Sequence, residues 1–276
     1  MFLRGLLLLL CTVSNSGVNA AAVSSKKISS GSYNYVFIDG VITQADVHKV
    51  KNVLSTKTGT IYLNSTGGDL DAALKIGDLI YKTSYKKEAY KKGGGVFYYD
   101  FSPSVAVGME GGGNSVCASA CVAIFASAKS RFILCSILHC DPLVVHNPYA
   151  VDTSLDYDQI KAQLGIYKKR AVNQFNRVGV SGELWSLMIN TRSESPRKLS
   201  VEEVERLGLK GDDPVYSDYR NGVEARRFGY TKSEYLERKR RADVCGLEVP
   251  SFKGNSWTIY DQADLVLACE KKFGVL

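Results

Sequence analysis

The stretch around Ser119 constrains the fold more than any other, because it joins a glycine-rich segment to an apolar run around one hydroxyl group. A triple glycine spans Gly111 to Gly113, and a run rich in alanine follows Ser119. This pattern predicts a loop or strand that turns into a buried helix at Ser119. In that position a serine hydroxyl can be presented above a helix N-terminus, whose N–H groups and dipole favour an oxyanion. The alternative interpretation is a small residue that allows close helix packing.

Two further stretches carry groups that complement this hydroxyl. Upstream, a short apolar strand ends in the Gly67-Gly68 turn, which opens a helix. Downstream, a β-branched strand ends in His146, and Pro148 marks a turn directly after it. A hydroxyl nucleophile, a histidine base and a pair of glycine N–H groups are the parts that acyl transfer requires.

The order and spacing of these motifs resemble the Clp-type serine proteases and the wider Clp/crotonase fold superfamily. The Gly-Gly turn is similar to the family's strand–Ser-Pro-Gly-Gly–helix motif, with Thr66 in place of proline. Ser119 and His146 fall where the family places its nucleophile and its strand-end histidine. The segment Leu199–Leu209 is similar to the family's Leu-Ser-x-x-Glu-Ala-x-x-x-Gly-Leu helix, so the resemblance runs from about residue 35 to residue 209.

The resemblance implies a catalytic mechanism for the candidate site. Ser119 would attack a carbonyl carbon, and His146 would accept its proton and later protonate the leaving group. The N–H groups of Gly67 or Gly68 and of Ala120 would hold the tetrahedral oxyanion. No metal and no organic cofactor is needed for this chemistry.

The orienting acid departs from the family pattern. The family has an aspartate a few residues before the Leu-Ser pair, and in this register the chain has Pro196. Glu194 is the nearest carboxylate. A Ser-His dyad, a triad completed by Glu194 and an inactive site are three open alternatives. Among them we expect a dyad whose third partner is either Glu194 or a backbone carbonyl, with a reduced catalytic rate.

The domain organisation follows from the same patterns. Alternating strand and helix signals predict an α/β fold of repeated strand–helix units. The resemblance implies that residues 35–211 form the Clp/crotonase-like domain. The segment 85–113 is expected to be an insertion beside the site, with strands at 96–99 and 105–107. Strands at 131–134 and 143–145 are expected to pair with each other. Residues 212–276 form a C-terminal extension, for which the sequence predicts helices near 231–241 and 261–272.

The N-terminus indicates export. Residues 1–20 carry a single charge at Arg4, a short apolar core and small residues at the end, as in a secretory signal peptide. The core is short for a bilayer of about 30 Å, which disfavours the alternative of an uncleaved anchor. Residues 21–34, rich in serine, lysine and glycine, predict a flexible lead-in. We therefore expect a periplasmic or secreted protein.

Cysteine use agrees with export. Cys11 leaves with the signal peptide, and the even number that remains favours disulfides over a zinc site. Cys245 with Cys269 is the simplest closure of the C-terminal region. The other four are then expected to pair among themselves near the site: Cys117, Cys121, Cys135 and Cys140.

The formal charge of +7 is concentrated late in the chain, at Arg226-Arg227 and over 238–241. An exported protein seldom meets nucleic acid, so no nucleic-acid partner is expected. The simpler interpretation of these basic residues is a solvated helix face. The second interpretation is that they attract the protein to an anionic envelope surface.

These observations predict an exported, ATP-independent serine peptidase-like hydrolase that acts on peptides or unfolded chains. One alternative is a catalytically inactive Clp-fold binding protein of the cell envelope. A crotonase-like acyl-CoA enzyme would need cytosolic thioesters, which the signal peptide disfavours. A fourth alternative makes Cys117 or Cys121 the nucleophile, although an exported thiol is usually oxidised. The oligomeric state is left open, with a homo-oligomer among the alternatives.

Overall fold

A computed structural model describes most of the chain after the expected signal peptide. The described residues are 20–27, 33–108, 115–134, 143–147, 156–247 and 259–276. The signal peptide expected over 1–20 therefore lies outside the described residues, apart from Ala20. The glycines 111–113 and Cys11, Cys135 and Cys140 lie outside them as well. Among the helices that are described, none is long and apolar enough to cross a membrane.

Strands and helices alternate through the first two thirds of the described chain, and helices dominate the rest. The strands are β1 (Ala22–Lys27), β2 (Asn34–Asp39), β3 (Thr58–Asn64), β4 (Tyr85–Tyr90), β5 (Val96–Phe101), β6 (Ser104–Val107), β7 (Cys117–Ala118), β8 (Ser130–Ile133), β9 (Leu143–Val145), β10 (Arg197–Lys198) and β11 (Gly211–Asp212). The helices are α1 (Gln44–Leu54), α2 (Leu70–Lys82), α3 (Ala120–Ala126), α4 (Tyr157–Asn176), α5 (Glu183–Asn190), α6 (Val201–Arg206), α7 (Pro214–Phe228), α8 (Lys232–Leu247) and α9 (Ile259–Phe273).

The main sheet has six strands in the order β1-β2-β3-β6-β8-β11. Its four inner strands are parallel, and the two edge strands are antiparallel to their neighbours. Ile61 lies opposite Val36 on one side and Val105 on the other, and all three are fully buried. Helices joining parallel strands cover the sheet and explain such continuous apolar patterns. The α/β fold class of repeated strand–helix units is thereby confirmed.

A second, small sheet carries the candidate site. Its order is β10-β9-β7, with β7 and β9 parallel and β10 antiparallel to β9. The expected pairing between the strands at 131–134 and 143–145 is wrong, because β8 pairs with β6 and β11 in the main sheet. A β-branched run indicates a strand, but the partner of that strand is decided by tertiary packing.

The stretch 21–34, expected as a flexible lead-in, contains strand β1. This strand pairs antiparallel with β2 from Ala22 opposite Asp39 to Lys27 opposite Asn34. Serine and lysine are also typical of exposed edge strands, where charged side chains discourage pairing with other chains. The serine- and lysine-rich composition of residues 21–34 therefore fits both a linker and an edge strand and does not distinguish them.

Helix α7 packs on the hairpin that precedes β6. Strands β4 and β5 form an antiparallel hairpin, and α7 lies against it. The backbone N–H groups of Asp100 and Ser102 donate to the hydroxyls of Tyr219 and Tyr216, at 2.7 and 3.1 Å. Helix α7 was missing from the sequence prediction, although Asp213 caps its first turn through its side chain.

Helices α2 and α3 pack closely against each other, and α3 also contacts strand β6 of the main sheet. A Cβ placed on Gly77 would lie 2.7 Å from Cβ of Ser127, so only glycine allows this approach. The close packing positions α3, and with it the turn that carries Ser119, against the core.

A buried arginine ties three helix ends together. The guanidinium of Arg131 donates to the carbonyl oxygens of Ala128, Val178 and Gly208, which follow the ends of α3, α4 and α6. A cation is favoured where helix carbonyls lack internal partners. Burial lowers the pKa of Arg131 to about 10, so the side chain stays charged at neutral pH.

Replacing Arg131 with methionine is expected to lower the free energy of unfolding by about 2–4 kcal/mol, because buried carbonyls then lose their donor. Urea unfolding with intact disulfides, followed by circular dichroism, measures this loss. Arg192→Met is the matched control, because Arg192 is exposed. Equal unfolding midpoints for the two variants would contradict the role assigned to Arg131.

Candidate functional site

Ser119 occupies the sharp turn between strand β7 and helix α3. Its backbone has φ 54° and ψ −123°, and among the described residues no other non-glycine residue has a positive φ. The side chain makes no capping hydrogen bond to α3, and the residue is 6% exposed. Such backbone strain costs about 1–3 kcal/mol and is concentrated at functional sites. A strained strand-to-helix turn is a known way to present a nucleophilic serine.

Strand pairing sets the position of Ser119 relative to His146. In the small sheet Ala118 lies opposite Val144, and the N–H of Ser119 donates to the carbonyl of Val144 at 2.9 Å. His146 follows β9 directly. Ser119 and His146 therefore lie beyond the carboxyl ends of two adjacent parallel strands, the edge at which α/β proteins build their sites.

The glycine turn after β3 lies on the other side of β7. Ser65 exchanges backbone hydrogen bonds with Val116 and Ala118, at 2.7 and 2.9 Å. A Cβ on Gly67 would lie 2.7 Å from Cβ of Ser119, so this glycine packs directly against the candidate nucleophile. The sequence motifs that carry the serine and the glycines thus meet in space.

The candidate oxyanion donors differ in their hydrogen bonding. The N–H of Gly67 donates to Oγ of Ser65 at 3.1 Å. Within the described part of the chain, the N–H groups of Gly68 and Ala120 have no acceptor. Gly68, with φ 134°, is held by its backbone contact with Ile42. Of the two candidate glycines, Gly68 is therefore the one whose N–H has no acceptor among the described residues.

His146 is half-buried and contacts the neighbouring backbone. Its Nδ1 lies 3.1 Å from the carbonyl oxygen of Asn147. A carbonyl only accepts hydrogen bonds, so this contact favours the tautomer with a proton on Nδ1. The lone pair is then on Nε2, as a general base requires.

The loop that approaches Asn147 is the one in which the resemblance places the orienting acid. The N–H of Asn147 donates to the carbonyl of Thr191 at 2.6 Å, and Oγ of Ser193 donates to the carbonyl of Asn147 at 2.7 Å. Glu194 and Pro196 are exposed on this loop, and Glu194 makes no hydrogen bond or ion pair with any described residue. Neither Asn147 nor Ser193 was predicted as part of the site, because Asn147 contacts His146 through its backbone carbonyl and Ser193 is one of two serines in a polar loop.

The cysteines next to the site are paired. A disulfide joins Cys117 to Cys121, and both residues are fully buried. Neither sulfur is available as a thiolate, which contradicts the alternative of a cysteine nucleophile. The predicted bond between Cys245 and Cys269 is confirmed.

No protein-family model and no curated protein matches this chain. Among solved structures it is similar to ClpP1 from Listeria monocytogenes, with 20% sequence identity and a TM-score of 0.41. A mutant of that ClpP1 gives 23% identity and a TM-score of 0.40. Each alignment covers 64% of this chain and 88% of the other. The similarity is one of overall fold and is distant, so the functional argument rests on the geometry of the site.

Proposed function

We propose that the protein is a serine peptidase-like hydrolase with Ser119 as nucleophile and His146 as general base. The observation that carries the proposal is the strained turn at Ser119, whose hydroxyl does not cap the helix that follows. A non-glycine residue is held in such a conformation only where its surroundings impose it. The same turn contacts Gly67 and lies beside β9, the strand that His146 follows.

The proposed reaction is acyl transfer. His146 accepts the hydroxyl proton through Nε2 while Ser119 attacks the carbonyl carbon, and the proton then passes to the leaving group. The N–H groups of Gly68 and Ala120 stabilise the oxyanion, and loss of one such donor typically costs about 10²–10³ in rate. The carbonyl of Asn147 orients the imidazole through Nδ1. Glu194 is the alternative third residue and would require a shift of its exposed loop.

We infer a peptide or an unfolded chain as the substrate, and action after export. The two disulfides support this location, since such bonds persist in oxidising compartments. The second candidate function is a catalytically inactive binding protein. It is favoured by the exposure of Glu194 and by Pro196, which stands in the register of the family's aspartate.

A fluorophosphonate probe tests the proposal, because it reacts with activated serines and not with ordinary hydroxyls. The folded chain is expected to take up one adduct, which peptide mass spectrometry maps to Ser119. The urea-denatured chain should take up none, because its serine has lost its base. Absence of an adduct on folded protein would favour the binding protein.

A further inference from the structure

The disulfide beside the site spans the reactive turn itself. Cys117 precedes Ser119 by two residues at the start of β7, and Cys121 follows it by two in the first turn of α3. The bond therefore closes a small ring that contains the candidate nucleophile. The other described disulfide joins α8 to α9, far along the chain from this turn.

Hydrogen bonds hold the backbone of Ser119 more firmly on the side of strand β7 than on the side of helix α3. On the strand side, hydrogen bonds tie Ala118 to Ser65 and Ser119 to Val144. On the helix side, the hydroxyl of Ser119 gives no capping bond, and a single bond of 3.0 Å runs from the N–H of Val122 to its carbonyl. The disulfide adds a covalent tie from the first turn of the helix back to the strand.

We propose that the Cys117–Cys121 disulfide holds Ser119 in its reactive backbone conformation, so that hydrolysis depends on the oxidised state of these two cysteines. This inference rests on the proposed function. Without the bond, the backbone of Ser119 can relax from φ 54° toward the ordinary negative range, because no glycine is present to favour the strained form. Relaxation moves the hydroxyl out of the turn that packs against Gly67 beside strand β9.

The reductant is a dithiol. Both cysteines are buried in the folded chain, so a dithiol thiolate attacks one of their sulfurs when the turn opens locally. The bond between Cys117 and Cys121 then breaks, and a mixed disulfide forms. The second sulfur of the dithiol then attacks the mixed disulfide, and the protein cysteine leaves as a thiolate. The dithiol is thereby oxidised to a disulfide, and its two protons are taken up by Cys117 and Cys121. The hydrolase is therefore inactive in a reducing compartment, and oxidation of the two cysteines after export activates it.

The matched pair of variants is C117A/C121A and C245A/C269A, since each removes one disulfide and only the first disulfide spans Ser119. Inactivation by a fluorophosphonate probe gives a maximal rate and a half-saturating concentration. For C117A/C121A we expect the maximal rate of inactivation to be about 10–100-fold lower than in the wild type, because the Ser119 hydroxyl is misoriented. The half-saturating probe concentration should stay within about 2-fold of the wild type. For C245A/C269A both values should stay within about 2-fold.

Reduction of the wild-type chain provides a second test that needs no mutant to fold. Dithiothreitol is added to native protein, free thiols are alkylated, and mass spectrometry assigns them. Activity is expected to fall in step with alkylation of Cys117 and Cys121 and to return on reoxidation. Loss that follows Cys245 and Cys269 instead would overturn the inference.

The outcomes separate the two proposals. If the wild type is labelled at Ser119 and C117A/C121A is labelled as fast, the disulfide has no positioning role and the hydrolase stands. If both double variants slow equally, the effect is general stability and the inference is rejected. If the wild type is never labelled, the proposed function fails and the inference fails with it.

Discussion

Replacing Ser119 or His146 with alanine is expected to lower ester and peptide hydrolysis by about 10⁴-fold or more, because the nucleophile and its base act as one unit. The double variant should be no slower than either single variant, since the pair has no function once one member is missing. Initial rates with an activated ester and with a pool of short peptides measure the losses. Circular dichroism checks that each variant is folded.

Two further variants make the comparison decisive. Ser115→Ala removes a nearby hydroxyl that the mechanism does not use, and its rate should stay within about 2-fold, as for a substitution away from special features. Glu194→Gln tests the alternative third residue. A loss below about 3-fold would agree with orientation by the Asn147 carbonyl, whereas a loss near 10⁴ would assign that role to Glu194. Additive losses for Ser119→Ala and His146→Ala would contradict a shared mechanism.

The residues of the candidate site could be picked out in the sequence because they follow strand ends. A strand that ends in a glycine pair or in a histidine can be recognised locally, and parallel strands bring such ends to one edge of a sheet. The contact between Gly67 and Ser119 agrees with that expectation. The sequence left the third partner open between Glu194 and a backbone carbonyl, and His146 Nδ1 contacts the carbonyl oxygen of Asn147. No side-chain pattern in the sequence indicates which carbonyl fills that position.

The fold was predictable to the extent that local pattern determines it. Apolar runs located β3 and β6, and the glycine turn located the start of α2, because these elements pack in the core. Strand β4 was not predicted, because its lysines and glutamate obscure the alternation of apolar and polar residues that marks a strand. The separation of β8 and β9 into different sheets depends on contacts far apart in the chain, which no local pattern encodes.

The Gly67 turn yields the second large expected effect. Gly67 has φ 105°, and an alanine Cβ there would lie 2.7 Å from Cβ of Ser119 and 2.9 Å from the carbonyl oxygen of Ala118. Contacts under 3.0 Å force atoms to move, and the atoms here belong to the strained turn itself. A displacement of about 1 Å in a reacting group can cost 10²-fold in rate. We therefore expect Gly67→Ala to slow labelling by a fluorophosphonate about 10²-fold or more.

Gly94→Ala separates this contact from backbone strain. Gly94 has the same φ of 105°, and nothing lies within 4 Å of the Cβ that alanine would add. Both variants carry the cost of an L-residue at positive φ, about 1–2 kcal/mol of unfolding free energy. Only Gly67→Ala should also displace Ser119, so its labelling should slow while that of Gly94→Ala stays within about 2-fold of the wild type. Equal labelling rates for the two variants would mean that the turn tolerates the added methyl group and that Gly67 does not position the nucleophile.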